Sequence, residues 1–281
     1  MNFPGLAKSK DKQIMEQPMN CTIGVLGAKG GVGATTIAVN LTFLLSKSAP
    51  SSQKVTLIDC NLQQPDAALM LSCQPEHSIV ELLRRLDHLD EQNIEACCLP
   101  LNFSSEMRLL TPPLDGSAAA SYTLTEIRDC LPAISKLSSI NVLDIPNNLD
   151  KHLVSLLDAC DLIVLVIEPN MTSIAAGKRW IKNFAELGYH ADDLRIVINR
   201  VGGKLKYIEN QANNSFPGIE LLRVPSAYAQ AENSAIEGIP MVLKSPKDAY
   251  AKAIQSIASS ISARVVHTRP EPNALLQLQT V

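Results

Sequence analysis

Aromatic side chains are scarce in this chain. They make up 4% of it, and Trp180 is the one tryptophan. A platform that stacks successive bases of single-stranded nucleic acid is therefore not expected. An excess of charge of either sign is missing as well. The formal net charge of −3 over 281 residues provides no global basic field for nucleic acid or anionic lipid. Long apolar runs are absent, and none approaches the ~20 residues of a bilayer-spanning helix. Residues 1–20 are polar, with Lys8, Lys10 and Lys12 and no apolar stretch behind them, so no secretory leader is read there. The seven cysteines form no C-x-x-C pair, and adjacent Cys97 and Cys98 have no partners at metal-ligand spacing. Buried thiols of a reducing cytosol fit this pattern better than disulfides or zinc. The five histidines have no acid–base partner at motif spacing and receive no catalytic role.

What is present is an alternation of apolar, β-branched runs with helical periodicity. Strands are predicted at 22–26, 55–59, 107–110, 140–144, 162–167, 194–198 and 219–222. Helices are predicted at 35–46, 79–86, 149–159, 173–187, 228–237 and 249–263. The run 162–167, LIVLVI, is continuously apolar. A strand buried on both faces requires that, so the fold expected is α/β, a doubly wound, mostly parallel sheet with helices on both faces. In such sheets ligands bind outside the carboxyl ends of the strands. A glycine-rich turn, Asp59 and Asp144 each follow or end a predicted strand, and they converge if those strands are neighbours.

The turn reads Gly27-Ala28-Lys29-Gly30-Gly31-Val32-Gly33-Ala34-Thr35-Thr36. Strand, glycine-rich turn and helix in that order place backbone N–H groups and a helix N-terminus around one point, which is how a chain cradles phosphates. The standard pattern G-x-x-x-x-G-K-[ST] is not met, because Ala28 replaces the first glycine and Ala34 the lysine. A glycine-rich turn without a ligand is the plain alternative. Asp144 has one too, as a helix N-cap or turn aspartate. Trp180, beside Lys178, Arg179 and Lys182, serves either as an anchor on a partner or membrane surface or as a packing residue. Arg84-Arg85 reads as a solvated helix end or a partner surface.

The string Lys-Gly-Gly-Val-Gly-x-Thr-Thr resembles the deviant Walker A loop of the MinD/ParA family of ATPases. In that family the early lysine, here Lys29, reaches across a dimer interface to the partner's nucleotide. Leu57-Ile58-Asp59-Cys60-Asn61 is similar to the family's second acidic motif, with Asn61 where a water-orienting aspartate is normal. Asparagine holds a water but cannot take its proton as a carboxylate does. Residues 141–146, NVLDIP, resemble the Walker B strand, with Asp144 beside magnesium. Residues 196–200, IVINR, resemble the late strand on which Asn199 reads adenine and Arg200 follows. The resemblance implies ATP and Mg²⁺ as cofactors. The phosphates then lie on Lys29, Gly30, Gly31, Val32, Gly33, Ala34, Thr35 and Thr36, the metal lies on Thr35, Asp59 and Asp144, and Lys29, Asp59 and Asn61 are the catalytic candidates.

Within that family the chain is similar to the TadZ/CpaE group, which assembles Flp-type (tight-adherence) pili. The similarity rests on 29–40 (KGGVGATTIAVN), 62–71 (LQQPDAALML), 77–91 (HSIVELLRRLDHLDE), 107–113, 161–169, Val224-Pro225 and 235–240 (AIEGIP). It implies a cytoplasmic homodimer that switches with nucleotide, meets other pilus assembly proteins and is at most peripheral to the inner membrane at a cell pole. No nucleic acid is expected, and hydrolysis is expected to be weak or absent. The alternatives are a DNA-binding ParA-like partition ATPase and a nucleotide-free scaffold. The domain is expected at 21–263, between flexible segments at 1–20 and 264–281.

Overall fold

The computed structural model describes residues 20–50, 53–115, 117–202 and 206–267. The strands are β1 (Cys21–Gly27), β2 (Val55–Asp59), β3 (Leu99–Leu101), β4 (Ser104–Leu110), β5 (Ile140–Ile145), β6 (Leu162–Ile167), β7 (Leu194–Val201) and β8 (Glu220–Pro225). The first helices are α1 (Ala34–Ser48), α2 (Ala67–Met70), α3 (Ile79–Leu83), α4 (Glu91–Cys97), α5 (Leu124–Ile134) and α6 (Lys151–Leu157). They are followed by α7 (Met171–Glu186), α8 (Lys206–Ser215), α9 (Tyr228–Glu237), α10 (Met241–Lys244) and α11 (Ala249–His267).

All eight strands form one sheet in the order β3-β4-β2-β5-β1-β6-β7-β8. Every pairing is parallel except β3 with β4 at the edge. The expected doubly wound α/β architecture is therefore the one found. Strand side chains alternate between two apolar layers. Leu162, Val164 and Val166 pack with α1 and α11, whereas Ile163, Leu165 and Ile167 pack with α5, α6 and α7. This two-sided burial is why the strands read as unbroken apolar runs.

Several boundaries differ from those predicted, for physical reasons. The helix expected at 149–159 begins at Lys151, because the Asp150 side chain accepts from the N–H groups of His152 and Leu153. The helix expected at 79–86 ends at Leu83 and gives way to a tighter turn at Leu86–His88. The edge strand β3 was not predicted. It is three residues long with Pro100 at its centre, a residue that sheets tolerate at edges. α5 is also absent from the predicted helices, and Pro132 inside it interrupts the pattern. The final helix continues to His267, past the expected boundary at 263. The segments 1–19 and 268–281 lie outside the described residues. Arg84 and Arg85 are exposed after α3, as a solvated helix end would be.

Sheet order matters most at its centre. β2, β5 and β1 are neighbours, and Asp59 pairs in register with Asp144. The topology reverses here, β1 connecting outward to β2 while β5 and β6 flank β1. This switch point is where open α/β sheets bind ligands.

Candidate functional site

The glycine loop joins β1 to α1 and is fixed from three sides. Ala28 N–H donates to the Val166 carbonyl of β6 at 2.9 Å. Trp180 Nε1–H donates to the Ala28 carbonyl at 3.2 Å, from a side chain that is 6% exposed. Asn199 Nδ2 donates to the Val32 carbonyl at 2.8 Å. Trp180 is therefore a packing residue behind the loop, with ring contact to Phe184, and presents no surface anchor. Trp180→Phe should cost about 1–2 kcal/mol, the usual penalty for leaving one buried carbonyl unpaired, read as a shift in the denaturation midpoint.

Gly33 caps α1 at φ 89° and makes no side-chain cap bond, so the first N–H groups of α1 are left for a ligand. A Cβ on Gly33 would stand 2.6 Å from Asn199 Nδ2. Gly33→Ala should combine left-handed strain of about 1–2 kcal/mol with displacement of Asn199 from Val32. The expected result is lower stability in denaturant and weaker nucleotide binding in the same preparation.

Asp59 ends β2, Asp144 lies one residue before the end of the adjacent β5, and both are buried. The Asp59 carboxylate accepts from the N–H groups of Asn61 at 2.9 Å and Ala67 at 3.0 Å, and so braces the segment between β2 and α2. Its pKa is raised well above the usual range by burial first and then by the charge of Asp144. Asp144 is pushed up to about 7, by burial, while the Thr35 hydroxyl opposes the shift. Two buried carboxylates side by side, with the charge of Asp144 raising Asp59, form a site short of a cation. Asp144 is in β5 and caps no helix; Asp150 is the cap of α6. Asn61 accepts from the Gln64 N–H at 3.2 Å, which leaves its amide NH₂ for the cavity.

At the far end of the loop Lys29 Nζ lies 3.6 Å from Glu168 Oε2 and 3.4 Å from Thr172 Oγ1. Arg200 Nη1 donates to Glu168 Oε1 at 2.5 Å. Arg200 is held at φ 60°, a conformation that non-glycine residues adopt at a cost, and its N–H donates to Asn199 Oδ1 at 2.9 Å. Glu168 is missing from the site residues expected from sequence. The signal was present: it follows the apolar run of β6 just as Asp59 and Asp144 end theirs.

These groups converge. A cavity of about 570 Å³ is lined by Lys29 through Thr36, Asn61, Asp66, Asp144 and Arg200. Ala34 lines it where a lysine would otherwise project. Asp59 does not line it and stands behind Asn61. A smaller cavity of about 220 Å³ adjoins it at Gly33, Thr36 and Arg200 and is walled by Asn199, Tyr228, Met241 and Tyr250. The Tyr250 hydroxyl is buried without a hydrogen-bond partner. Among the described residues no cluster of three or more His, Cys, Asp or Glu could hold a metal. Any cation here depends on the two aspartates, the Thr35 hydroxyl and the ligand's own oxygens. The thiols of Cys97 and Cys98 are pushed up to about 11, chiefly by burial, which leaves them protonated and inert.

The family described as an AAA domain matches residues 20–195. An uncharacterized ATP-binding protein of Methanocaldococcus jannaschii is 23% identical over 248 residues, covering 86% of this chain and 88% of the relative. A ParA family ATPase from Chlorobium tepidum superposes with a TM-score of 0.77 at 20% identity, covering 86% of this chain and 99% of the other. The septum site-determining protein MinD of Pyrococcus horikoshii, complexed with Mg-ADP, superposes at 0.73 with 18% identity, over 86% and 96%. The mostly parallel eight-stranded sheet with its helices has the ParA/MinD P-loop fold.

Proposed function

Because this chain belongs to the AAA-domain family, we propose that it is an ATP-binding, MinD/ParA-like switch that dimerises around Mg²⁺·ATP and hydrolyses it weakly or not at all. The observation that carries this reading is the convergence, on one cavity, of a glycine cradle, an uncapped helix terminus and the buried Asp144 carboxylate, with Asp59 on the adjacent strand behind it. That donor set fits a nucleotide phosphate and a divalent ion.

In this reading the amides of Gly30, Gly31, Val32, Gly33, Ala34, Thr35 and Thr36 hold the phosphates. The Thr35 hydroxyl and Asp144 hold the metal, with Asp59 behind them fixing the segment that carries Asn61. Mg²⁺, when bound, neutralises charge on the terminal phosphates. Asn199 and Arg200 position the base in the smaller cavity, where the unpaired Tyr250 hydroxyl awaits a partner. Lys29 completes the phosphate site of a second copy. Exposed apolar side chains support a covered face: Leu69 lines the cavity and is 59% exposed, Ile236, which follows the lining Ala235, is 74% exposed, and Met171, which precedes the Lys29 contact Thr172, is 55% exposed. Asn61 orients water but cannot take its proton, and Ala34 offers no charge to the phosphates. Hydrolysis lacks two contacts at once.

The similarity of 29–40, 62–71, 77–91 and 235–240 to the TadZ/CpaE group supports a role in assembling and positioning a Flp/Tad-type pilus, from the cytoplasm and at most peripheral to the membrane. No helix among the described residues is long and apolar enough to cross a membrane. The test is calorimetric titration with ATP, with and without Mg²⁺, on wild type and Lys29→Ala. Tight Mg²⁺-dependent binding with slow phosphate release supports the switch. Rapid release stimulated by DNA points instead to a partition ATPase, and an absence of binding leaves a scaffold. Loss of surface pili on deletion of the gene, restored by the wild-type copy, tests the pilus role separately.

A further inference from the structure

We propose that Glu168 is a positioning residue that retains Lys29 within its own subunit until nucleotide phosphate replaces it. The inference rests on nucleotide binding at the cavity described above and deepens it. Glu168 follows β6, the neighbour of β1, so its carboxylate is delivered beside the start of the glycine loop. Its backbone N–H donates to Ser173 Oγ at 2.8 Å, which fixes the main chain. The side chain is 15% exposed. Asn170 Nδ2 donates to Oε2 at 2.9 Å, and Arg200 Nη1 donates to Oε1. Both oxygens are thus held in place without any help from Lys29.

The two cations on this carboxylate are bound unequally. Arg200 makes a short, direct contact. Lys29 stands off at 3.6 Å, its second contact to Thr172 is 3.4 Å, and its side chain is 37% exposed. Lys29 and Arg200 line the large cavity, whereas Glu168 does not. Glu168 therefore competes with whatever anion enters that cavity for the same lysine. A loose, partly exposed ion pair is weak and exchangeable, and a polyphosphate carries more charge than one carboxylate. Lys29 is the arm that moves, and Arg200 stays with Glu168 as the fixed side of the device. Release from Glu168 is also what frees Lys29 to reach the phosphates of a second copy, which links nucleotide arrival to assembly.

The experiment is a mutant cycle read by calorimetry with the non-hydrolysable analogue Mg²⁺·AMPPNP, on wild type, Glu168→Gln, Lys29→Ala and the double variant. Gln at 168 keeps an acceptor for Asn170 and removes the charge. Glu168→Gln should bind the analogue about fivefold more tightly, the factor that one partly exposed ion pair represents. That gain should vanish when Lys29 is already alanine. A gain that persists in the Lys29→Ala background means that charge removal or a freed Arg200 is responsible, and it overturns the proposal. So does an unchanged or weaker Kd for Glu168→Gln while wild type binds, which leaves nucleotide binding itself intact. Failure of wild type to bind overturns both readings. Should Glu168→Gln fail to fold, Thr172→Val removes the other tether of Lys29, and a smaller gain of the same sign is expected; no gain overturns the proposal.

Discussion

Asp144→Asn should make the nucleotide-free protein more stable near pH 8 while abolishing Mg²⁺-dependent nucleotide binding. The native Asp144 carboxyl is raised from 3.8 to about 7, by burial, and Asp59 beside it is raised as well. A carboxyl whose folded pKa is raised stabilises the fold fully below its unfolded pKa and loses that contribution as pH rises through the folded value. The wild-type protein without ligand should therefore lose stability between about pH 4 and pH 7, on the order of a few kcal/mol, given 1.36 kcal/mol per pKa unit. Asparagine never ionises, so Asp144→Asn should flatten that slope and gain most at pH 8. Nucleotide with Mg²⁺ should remove the slope in wild type alone, because bound cation favours the ionised pair. Urea denaturation of both proteins at pH 5 and pH 8, with and without Mg²⁺·ATP, measures these differences. Parallel pH profiles for wild type and Asp144→Asn would show that the pair is not under electrostatic load.

The second large effect is a gain. Ala34→Lys combined with Asn61→Asp should raise phosphate release by about 10²–10³-fold, since one charged transition-state contact is worth that order. Ala34 lines the cavity on the first turn of α1, so a lysine there projects toward the phosphates without displacing core. Asn61 lines the same cavity and is held by the Asp59 carboxylate through its own N–H, so an aspartate inherits a fixed position. The single variants should each gain less than the pair, because the two groups act in one step. Single-turnover release of labelled phosphate checks it. If the pair releases phosphate no faster than wild type, the two substitutions in the natural chain are not what limits hydrolysis.

How far the sequence carried these conclusions depends on where each interaction lies. The loop, Asp59 and Asp144 were legible because each is a polar break at the end of an apolar run, a local signal. Their convergence was also legible, since β2, β5 and β1 had only to be neighbours. Interactions across the sheet were hidden. Trp180 and Ala28 are 152 positions apart, and Asn199 and Val32 are 167 apart, so no periodicity links them. Glu168 escaped because it lies on an exposed-looking Glu-Pro-Asn turn, where a charged residue needs no explanation. β3 and α5 escaped because a proline within each conceals the local pattern.

On the proposed reading this chain holds ATP between two copies without consuming it. Native mass spectrometry of the purified chain after incubation with Mg²⁺·ATP tests it most directly. The expected result is a species of twice the chain mass carrying two intact ATP molecules, absent when Lys29 is replaced by alanine. A monomer without nucleotide, or a complex that carries only ADP, would contradict it.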